Sequence, residues 1–518
     1  MSNHYFIFQS NGGNYYLYDI PTNSVHPWNF PLTSEFASKL YAAQDNDLRE
    51  LVHSIEAEEI NQEHLLFYLQ LWRFKTAAFR NANLPQVLFF QKPEDLPEDR
   101  RGPVWMSDLV LIVSEACNLR CDYCTYSSLY PGYRRHSKYL MSWEVARKAI
   151  DWFYRYNDEL SFRSYSDRNL NIVFYGGEPL LNFATVRKSI LYAEMAKKDH
   201  YGLVFSISTN LTLLKDEHLP FLRAHDVFVN VSLDGPPEEH DRYRHFANGK
   251  PTSKTVLNNL QKIRRFDEDF YFNKVRLLPT LNGNSNALAI YEFFEERKDE
   301  FPPFLMVNLL KDLSFSEFHR VYSYDKDHFA EKIQAVVNSY LERKSHGSHF
   351  FKGDFLYHFI DEPLNNIFQR VHSYGNAPPT WYTGTCLPGR KLAAIPDCAI
   401  HICERINEHF PIGNVERGLD EKKVMEVVNR YFGSLPGCHR CWARNLCTIC
   451  YAAVCDQGYF DFERRCRSTR EHVQANLSLL FSVLEKRHDA FLTKDYLISP
   501  LTNSANHGLS LEFNRDGP

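Results

Sequence analysis

Three cysteines early in the chain are the residues whose types and spacing most clearly suggest chemistry. Cys117, Cys121 and Cys124 follow the apolar run 109–113 with the spacing Cys-x3-Cys-x2-Cys. A cubane iron–sulfur cluster takes four thiolate ligands, so three cysteines from one loop leave one iron able to bind another molecule. The spacing therefore predicts a reactive iron–sulfur site, the alternative being three buried structural cysteines.

The segments around this loop predict the fold that positions it. Six short apolar runs rich in β-branched residues alternate with helical patterns: 109–113, 171–175, 203–207, 228–232, 274–281 and 304–309. This alternation is typical of repeated βα units and a parallel sheet. We predict an α/β fold built on a partial (β/α)6 TIM-type barrel. In such barrels the working residues lie at the carboxyl ends of the strands.

Polar and glycine-rich motifs follow three of the predicted strands, at the same end as the cysteine loop. They are Gly176-Gly177-Glu178-Pro179, Ser208-Thr209-Asn210 and Ser232-Leu233-Asp234-Gly235. Paired glycines let the backbone approach a ligand closely, and the Glu178 carboxylate can accept a hydrogen bond from an ammonium group. Each motif alone is commonly a turn, but their order and positions favour a shared ligand site.

The cysteine loop, Cys117-Asn-Leu-Arg-Cys121-Asp-Tyr-Cys124, resembles the signature of radical S-adenosylmethionine (SAM) enzymes. The resemblance implies a [4Fe–4S] cluster whose open iron binds the amino acid end of SAM. One electron then cleaves SAM to methionine and a 5′-deoxyadenosyl radical, which abstracts hydrogen from an unactivated C–H bond.

The same resemblance implies roles for the strand-end motifs. Glu178 would hold the SAM amino group, Arg244 of Asp241-x-x-Arg244 would pair with its carboxylate, and Tyr123 would contact adenine. The remaining cofactor-binding candidates are Gly176, Gly177, Ser208, Asn210, Ser232 and Asp234.

A second cysteine-rich region lies near the carboxyl end. Nine of the twelve cysteines fall there: Cys386, Cys398, Cys403, Cys438, Cys441, Cys447, Cys450, Cys455 and Cys466. The chain shows no apolar signal segment, and its length makes disulfide staples unnecessary, so metal ligation is the better interpretation. The spacing of the four cysteines from 438 to 450 is too compact for the usual zinc modules. A zinc-ribbon interaction protein is the alternative outside enzymology.

This region more closely resembles the SPASM domain of peptide- and protein-modifying radical SAM enzymes, which implies two auxiliary [4Fe–4S] clusters. Three ligands for the first cluster and four for each auxiliary cluster would use eleven of the twelve cysteines. We assign Cys438, Cys441, Cys447 and Cys466 to one auxiliary cluster. The other is expected to use Cys386, Cys403 and one of Cys450 and Cys455, with Cys398 as a further candidate.

Composition and charge limit the partners. The 518 residues are 44% hydrophobic, which is enough for two or three domains. A net charge of −5 argues against a generic nucleic-acid binder, and no stretch approaches the roughly 20 apolar residues of a membrane span. We expect a cytoplasmic protein without nucleic-acid or membrane partners.

The chain divides into five predicted segments: an N-terminal extension (1–100), the barrel (101–345), a bridging segment (346–380), the SPASM domain (381–485) and a tail (486–518). Runs 5–8 and 15–18 flank Gly12-Gly13-Asn14 and predict a hairpin. Patterns at 34–43 and 62–81 predict helices. This small α+β arrangement is similar to a winged-helix element that binds the leader of a precursor peptide, and a purely structural extension is an equal alternative.

The resemblance as a whole implies a peptide maturase that installs a thioether bond in a ribosomally made precursor peptide. Its partners would be the leader and cysteine-containing core of that peptide and an electron donor such as flavodoxin or ferredoxin. Formylglycine formation in a sulfatase and carbon–carbon cross-linking are the alternatives. Glu404, directly after Cys403, is a candidate general base, or else a surface residue paired with Arg405 or Lys391.

Overall fold

The structure is a computed structural model that describes residues 5–20, 23–27, 106–130, 133–160, 168–198, 201–310, 317–322, 326–351, 353–369, 391–405, 407–456, 458–487 and 490–491. In these ranges the fold is α/β with a largely parallel central sheet, as predicted. No helix in this part of the chain has the length and apolar character needed to cross a membrane.

The barrel begins with four parallel strands: β4 (Asp108–Ser114), β5 (Arg168–Gly176), β6 (Tyr201–Thr209) and β7 (Phe228–Val231). They confirm the first four predicted strands. Helices α1 (Trp143–Leu160), α2 (Phe183–Ala196) and α3 (His218–Ala224) alternate with these strands. The predicted apolar face of α1 is buried, with Ala146, Ile150 and Phe153 fully covered.

The later barrel strands are shorter than predicted. The run 274–281 forms two pieces, β8 (Val275–Leu277) and β9 (Thr280–Leu281), because Pro279 between them lacks a backbone donor. The run 304–309 is reduced to β10 (Asn308–Leu309), which pairs in parallel with β9 in a separate sheet. Helices α4 (Pro237–Tyr243), α5 (Ser253–Phe266), α6 (Glu268–Lys274) and α7 (Ala287–Glu296) complete this half.

The cysteine-rich region continues the barrel sheet. Its first strand, β11 (Lys391–Ala394), lies parallel to β4 with Lys391 opposite Asp108 and Ala394 opposite Leu111. Strands β12 (Ala399–His401), β13 (Pro411–Asn414) and β14 (Gly418–Leu419) follow antiparallel. The resulting nine-stranded sheet has the order β14-β13-β12-β11-β4-β5-β6-β7-β8.

Helical segments join and cover the two halves. They are α8 (Phe318–Val321), α9 (Lys326–Ser345), a π-helical turn (Tyr357–Asp361), α10 (Glu362–Phe368), α11 (Glu421–Gly433), α12 (Tyr451–Val454) and α13 (Glu463–Lys486). A short hairpin of β15 (Cys455–Asp456) and β16 (Tyr459–Phe460) precedes α13. A buried ion pair, with Lys344 Nζ 2.7 Å from Asp361 Oδ1, joins α9 to the π-helical turn.

The N-terminal sheet packs on the cysteine-rich half. Strands β1 (Tyr5–Gln9), β2 (Tyr15–Asp19) and β3 (Ser24–Pro27) form an antiparallel meander that includes the predicted hairpin. Phe6 stacks on Trp442 with ring centroids 3.7 Å apart, and the Tyr16 hydroxyl donates to Glu485 Oε1 at 2.8 Å. The helices predicted at 34–43 and 62–81 lie outside the described residues, as does the tail from 492 onward.

Candidate active site

The first cysteine loop lies at the carboxyl end of β4. Backbone amides of Leu119 and Tyr126 each donate to a cysteine sulfur, Cys117 Sγ and Cys124 Sγ respectively, at 3.4 Å. Burial raises the pKa of Cys117 and of Cys121 to about 12. Without a cation the buried sulfurs are therefore neutral thiols, and coordination to iron would replace their protons. Amide donors aimed at buried sulfurs fit a thiolate-bound cluster.

The paired glycines at the end of β5 allow the loop after β5 to pack closely against the loop after β4. Gly176 has φ +141°, and a Cβ there would lie 2.1 Å from the Ser114 carbonyl oxygen. A Cβ on Gly177 would lie 2.2 Å from the Ala116 carbonyl oxygen. A close approach of this loop to a ligand stays a prediction. These glycines bring the β5 loop against the backbone that carries the first cysteine.

Glu178 is fully buried and is held by three protein donors. One carboxylate oxygen accepts from the Leu180 amide at 3.0 Å and the Thr209 hydroxyl at 2.6 Å, and the other accepts from the Asn210 amide at 2.8 Å. Burial raises the pKa of Glu178 to about 7, and these hydrogen bonds oppose that rise. Glu178 thus joins the ends of β5 and β6. Its contact with the SAM amino group stays a prediction.

Glu178→Gln should destabilise the fold, because both oxygens of Glu178 now accept hydrogen bonds. The NH₂ group of glutamine is a donor and would face one of these donors without an acceptor. Losing a hydrogen bond to a charged group costs about 1.5–3 kcal/mol, so we expect a loss of that order in the free energy of unfolding. Denaturant titration of the metal-free protein measures it. Glu217→Gln is the matched control, since Glu217 is 71% exposed and, within the described part of the chain, its ion pair is with Lys215 at 3.4 Å. Equal stability of the two variants would contradict this role.

Asp234, Arg244 and Tyr123 form a buried cluster. Arg244 Nε donates to Asp234 Oδ2 at 2.8 Å, and the Tyr123 hydroxyl donates to the same oxygen. The Arg244 guanidinium also lies 5.2 Å from the centroid of the Tyr123 ring. We expected Arg244 to pair with a ligand carboxylate and Tyr123 to contact adenine. The structure instead shows Asp234 as the partner of both, and their contacts with SAM stay predictions.

The remaining strand-end candidates also have protein partners. The Asn210 side chain donates to Asn118 Oδ1 at 3.1 Å and to Cys117 Sγ at 3.8 Å, which ties β6 to the cysteine loop. Ser208 Oγ accepts from Asn230 at 3.4 Å. The Ser232 amide donates to the Thr209 carbonyl at 3.1 Å. All three lie where strands end near the cysteine loop, as predicted.

Glu404 was predicted to be either a general base or a surface residue paired with Arg405 or Lys391. Both ion pairs are present, but the side chain does not lie on the surface. Its side chain is 8% exposed, with Oε1 2.8 Å from Lys391 Nζ and 3.6 Å from Arg405 Nε. Burial raises the pKa of Glu404, but the positive charges of Lys391 and Arg405 outweigh burial and lower it overall. Glu404 is therefore held as a carboxylate next to two cations.

Four cysteines line a single cavity between α11 and α13. They are Cys438, Cys441, Cys447 and Cys466, which is the set we assigned to one auxiliary cluster. Burial raises the pKa of Cys438 to about 12 and of Cys466 to about 11. Apolar side chains such as Tyr431 and Phe462 line part of the remaining wall, together with Arg444, Thr469 and Arg470. Among the described residues, no three His, Cys, Asp or Glu side chains converge as ligands of a single metal ion.

A second group of cysteines surrounds Tyr133. The Tyr133 hydroxyl lies 3.3 Å from Cys455 Sγ and donates to the carbonyl oxygens of Arg405 at 3.1 Å and Ala452 at 3.2 Å. Burial raises the pKa of Tyr133, and the negative charges of Cys455, Cys403 and Cys450 raise it further. The structure thus brings Cys450 and Cys455 together with Cys403. Cys386 lies outside the described residues.

Cys398 lies apart from this group, which argues against its inclusion in the second auxiliary site. It occupies the turn between β11 and β12 with φ +74°. Its charged neighbours are Glu416, Asp397 and Lys148, and Lys148 lies on α1 and pairs with Glu416 at 2.8 Å. With Cys398 set aside, Cys386, Cys403, Cys450 and Cys455 make a four-cysteine set, which we propose as the second auxiliary site.

Cys398→Ala should leave the iron content of anaerobically reconstituted protein unchanged. Cys450→Ala and Cys455→Ala should each reduce it, by up to about one cluster or roughly four irons, since each removes one of the four thiolates proposed for that site. Iron assay and electron paramagnetic resonance of the reduced proteins distinguish these outcomes. Iron loss on replacing Cys398, with none on replacing Cys455, would reverse the assignment.

Some residues around the site were not predicted. Tyr133 and Tyr175 contact it from the barrel, and nothing in their local sequence marks them. Thr209 lies inside a motif that we recognised, yet its bond to Glu178 depends on the pairing of β5 with β6. Such contacts follow from strand register, which short sequence motifs do not specify.

A cysteine loop at the end of the first strand of a partial barrel, with polar strand ends around it, defines a class of enzyme. Residues 111–273 match the family model of the Radical SAM superfamily, so this chain contains a radical SAM domain. Enzymes of this superfamily use SAM together with a [4Fe–4S] cluster.

Individual relatives are similar to parts of this chain. The serine-type anaerobic sulfatase-maturating enzyme of Bacteroides thetaiotaomicron is 31% identical over 36% of this chain and 43% of its own length. The chain spans about half the length of the first curated relatives that it matches. The cysteine-type anaerobic sulfatase-maturating enzyme of Clostridium perfringens is 23% identical over 72% of this chain and 92% of that enzyme.

A solved structure supports the fold. Native anSMEcpe with bound AdoMet and the Cp18Cys peptide matches with a TM-score of 0.53 and 20% sequence identity, covering 73% of this chain and 99% of that chain. At this identity the likeness concerns the fold. About a quarter of the present chain has no counterpart in that structure.

Proposed function

We propose that this protein is a radical SAM maturase that oxidises a residue of a peptide or protein substrate. The observation that carries the proposal is the contact between the two cysteine regions. Tyr133, from the loop after Cys124, reaches Cys455 in the second group. A substrate lying between these regions would be close to both the proposed SAM cluster and an auxiliary site. The sulfatase-maturating relatives act, by their names, on other proteins.

The donor sets fit iron–sulfur clusters. Cys117, Cys121 and Cys124 would hold the cluster that binds SAM, and the two four-cysteine sets would hold auxiliary clusters. When bound and reduced by a one-electron donor such as flavodoxin or ferredoxin, the cluster and SAM supply the means to remove one hydrogen atom from an unactivated C–H bond. The buried Asp234–Arg244 pair and Glu178 would fix the walls of the SAM pocket.

Thioether formation is the product that we propose first. The substrate loses two hydrogens, one from a carbon and one from a cysteine thiol, and a carbon–sulfur bond forms while the sulfur is retained. One hydrogen would leave as an atom taken up in 5′-deoxyadenosine, and the other would leave as a proton. The remaining electron needs an acceptor, which an auxiliary cluster held by Cys403, Cys450 and Cys455 would supply. A cysteine sulfur near the Cys403, Cys450 and Cys455 group would be placed for that transfer. Carbon–carbon cross-linking would likewise remove two hydrogens and retain the sulfur, so the same mass measurement detects both kinds of cross-link.

Formylglycine formation is the second candidate, favoured by the named activity of the relatives. In that reaction a cysteine CH₂–SH group and water become an aldehyde, with release of hydrogen sulfide and loss of two hydrogens. The two products differ in sulfur content, which allows a direct distinction.

Reconstituted protein should cleave SAM and oxidise a cysteine-containing peptide, and the triple variant Cys117→Ala, Cys121→Ala, Cys124→Ala should do neither. The variant should also lose about four irons of its content. Liquid chromatography measures 5′-deoxyadenosine, and mass spectrometry reads the peptide. Loss of two hydrogens with sulfur retained indicates a cross-link, and loss of sulfide indicates formylglycine. Stoichiometric zinc in place of iron would contradict the enzyme proposal.

Glu404→Gln tests whether the buried carboxylate accepts a substrate proton. We expect 5′-deoxyadenosine release to continue in the presence of peptide, while the two-electron-oxidised product falls by roughly a hundredfold, within the usual range for general base catalysis. Glu408→Gln, an exposed change in the same segment, serves as the control. Normal product from the Glu404→Gln variant would leave an auxiliary cluster as the proposed activator of the substrate thiol.

A further inference from the structure

Arg405 has a solvent-exposed side chain next to residues that are largely buried. Its side chain is 64% exposed, whereas the neighbouring Glu404 side chain is 8% exposed. The positive charge of Arg405 lowers the pKa of Tyr175 at the end of β5, against the larger effect of burial. Cys403 and Cys450 in turn raise the pKa of Arg405. Tyr175 is also within the field of Cys124. Arg405 therefore lies near both the end of β5 and the second cysteine group, with its side chain open to solvent.

Arg405 shares its carboxylate partner, Glu404, with Lys391, and no other ion pair of Arg405 is present among the described residues. Glu404 Oε1 is 3.6 Å from Arg405 Nε but 2.8 Å from Lys391 Nζ, so Lys391 is its closer partner. The backbone of Arg405 is fixed, because its carbonyl accepts a hydrogen bond from Tyr133 at 3.1 Å. A fixed backbone with an open guanidinium is suited to binding a planar anion through two parallel hydrogen bonds.

A second arginine lies on the same face of the sheet. Arg276 of β8 is opposite Asn230 of β7, which is opposite Ser208 of β6. Tyr175 follows Phe174, which pairs with Ile207, so Tyr175 lies beside Ser208 in this row. The row therefore places Tyr175, next to Arg405, on the face that carries Arg276.

Arg276 lacks a carboxylate partner within the described part of the chain. Its guanidinium lies between two aromatic rings, 3.7 Å from the Phe228 centroid and 4.8 Å from the Phe304 centroid. Burial lowers the pKa of Arg276 to about 10, so it is still a cation at neutral pH. Asp108, the first residue of β4, accepts hydrogen bonds from the side chains of Ser107 and Asn171, and it is not a partner of Arg276.

We propose that Arg405, with Arg276 as a second cation on the same face, binds a carboxylate of the substrate, and that the preferred substrate is a peptide with an acidic side chain near the residue to be oxidised. This inference rests on the proposed function, since it assumes that a peptide enters the space between the cysteine regions. A basic side chain at the same position would face uncompensated positive charge and would be rejected.

Three pools of short synthetic peptides test the proposal. All carry a central cysteine and randomised neutral flanks, and they differ only in having Asp, Asn or Lys among the flanking positions. Fluorescence anisotropy with the reconstituted protein and SAM, without reductant, measures binding. Mass spectrometry after reduction measures oxidised peptide. The parent protein should bind the Asp pool at least about tenfold more tightly than the Asn pool, the effect of one charge-assisted hydrogen bond.

Variants identify the cations responsible. Arg405→Gln should remove the preference for Asp, and Arg405→Glu should make the Lys pool the preferred one. Arg276→Gln, in a chain that keeps Arg405, should weaken the Asp preference without removing it. Arg264→Gln is the control, because Arg264 lies on the outer helix α5 and pairs with Glu268 at 2.8 Å. Iron content and SAM binding verify that each variant is intact. Arg276→Lys, which keeps the charge, should retain most of the preference.

The outcomes separate this inference from the proposed function. Equal binding and oxidation of all three pools would overturn the carboxylate site and support the maturase. A charge-dependent binding that Arg405→Glu reverses, without any peptide oxidation, would support the site and count against the maturase. Failure of every pool to bind, or an Asp preference that survives Arg405→Gln, would overturn the inference.

Discussion

The parallel pairing of β4 with β11 is the contact on which the site depends. Strand β4 ends in the first cysteine loop, and β11 begins the cysteine-rich half. Val110, Ile112, Ala393 and Ile395 are buried together across this pairing. Full burial of one Val or Ile side chain contributes about 1.5–3 kcal/mol, so the junction is a continuous core. It sets the relative position of the two cysteine regions.

Buried carboxylates hold the loops around this junction. An ionised carboxylate inside a protein is costly unless it is paired or hydrogen-bonded. Glu178 meets this requirement with donors from β6 and the turn after β5, and Asp234 meets it with Arg244, Tyr123 and the Thr280 amide. Each carboxylate therefore joins elements that are distant in sequence. Residues that the sequence motifs identify as ligand contacts therefore also stabilise the loops around the pocket through hydrogen bonds within the protein.

The sequence allowed prediction of what is locally determined. Apolar runs with β-branched residues located β4 to β7, and cysteine spacing separated the first loop from the set that lines the α11–α13 cavity. The sequence left open whether Cys398 belongs with Cys403 and which of Cys450 and Cys455 does, because both questions depend on contacts between segments distant in sequence. The glycines after β5 were recognised, but their contact was assigned to a ligand. A flexible backbone position indicates close approach without identifying the group approached.

The electrostatics of Glu404 limit how it can act. Its pKa is lowered overall because Lys391 and Arg405 stabilise the carboxylate more than burial disfavours it. Each unit by which a pKa falls makes protonation about 1.4 kcal/mol less favourable, so Glu404 retains a proton poorly. The Glu404 carboxylate is therefore ready to accept a substrate proton and to release it again, while the exposed guanidinium of Arg405 is the charge open to an entering substrate.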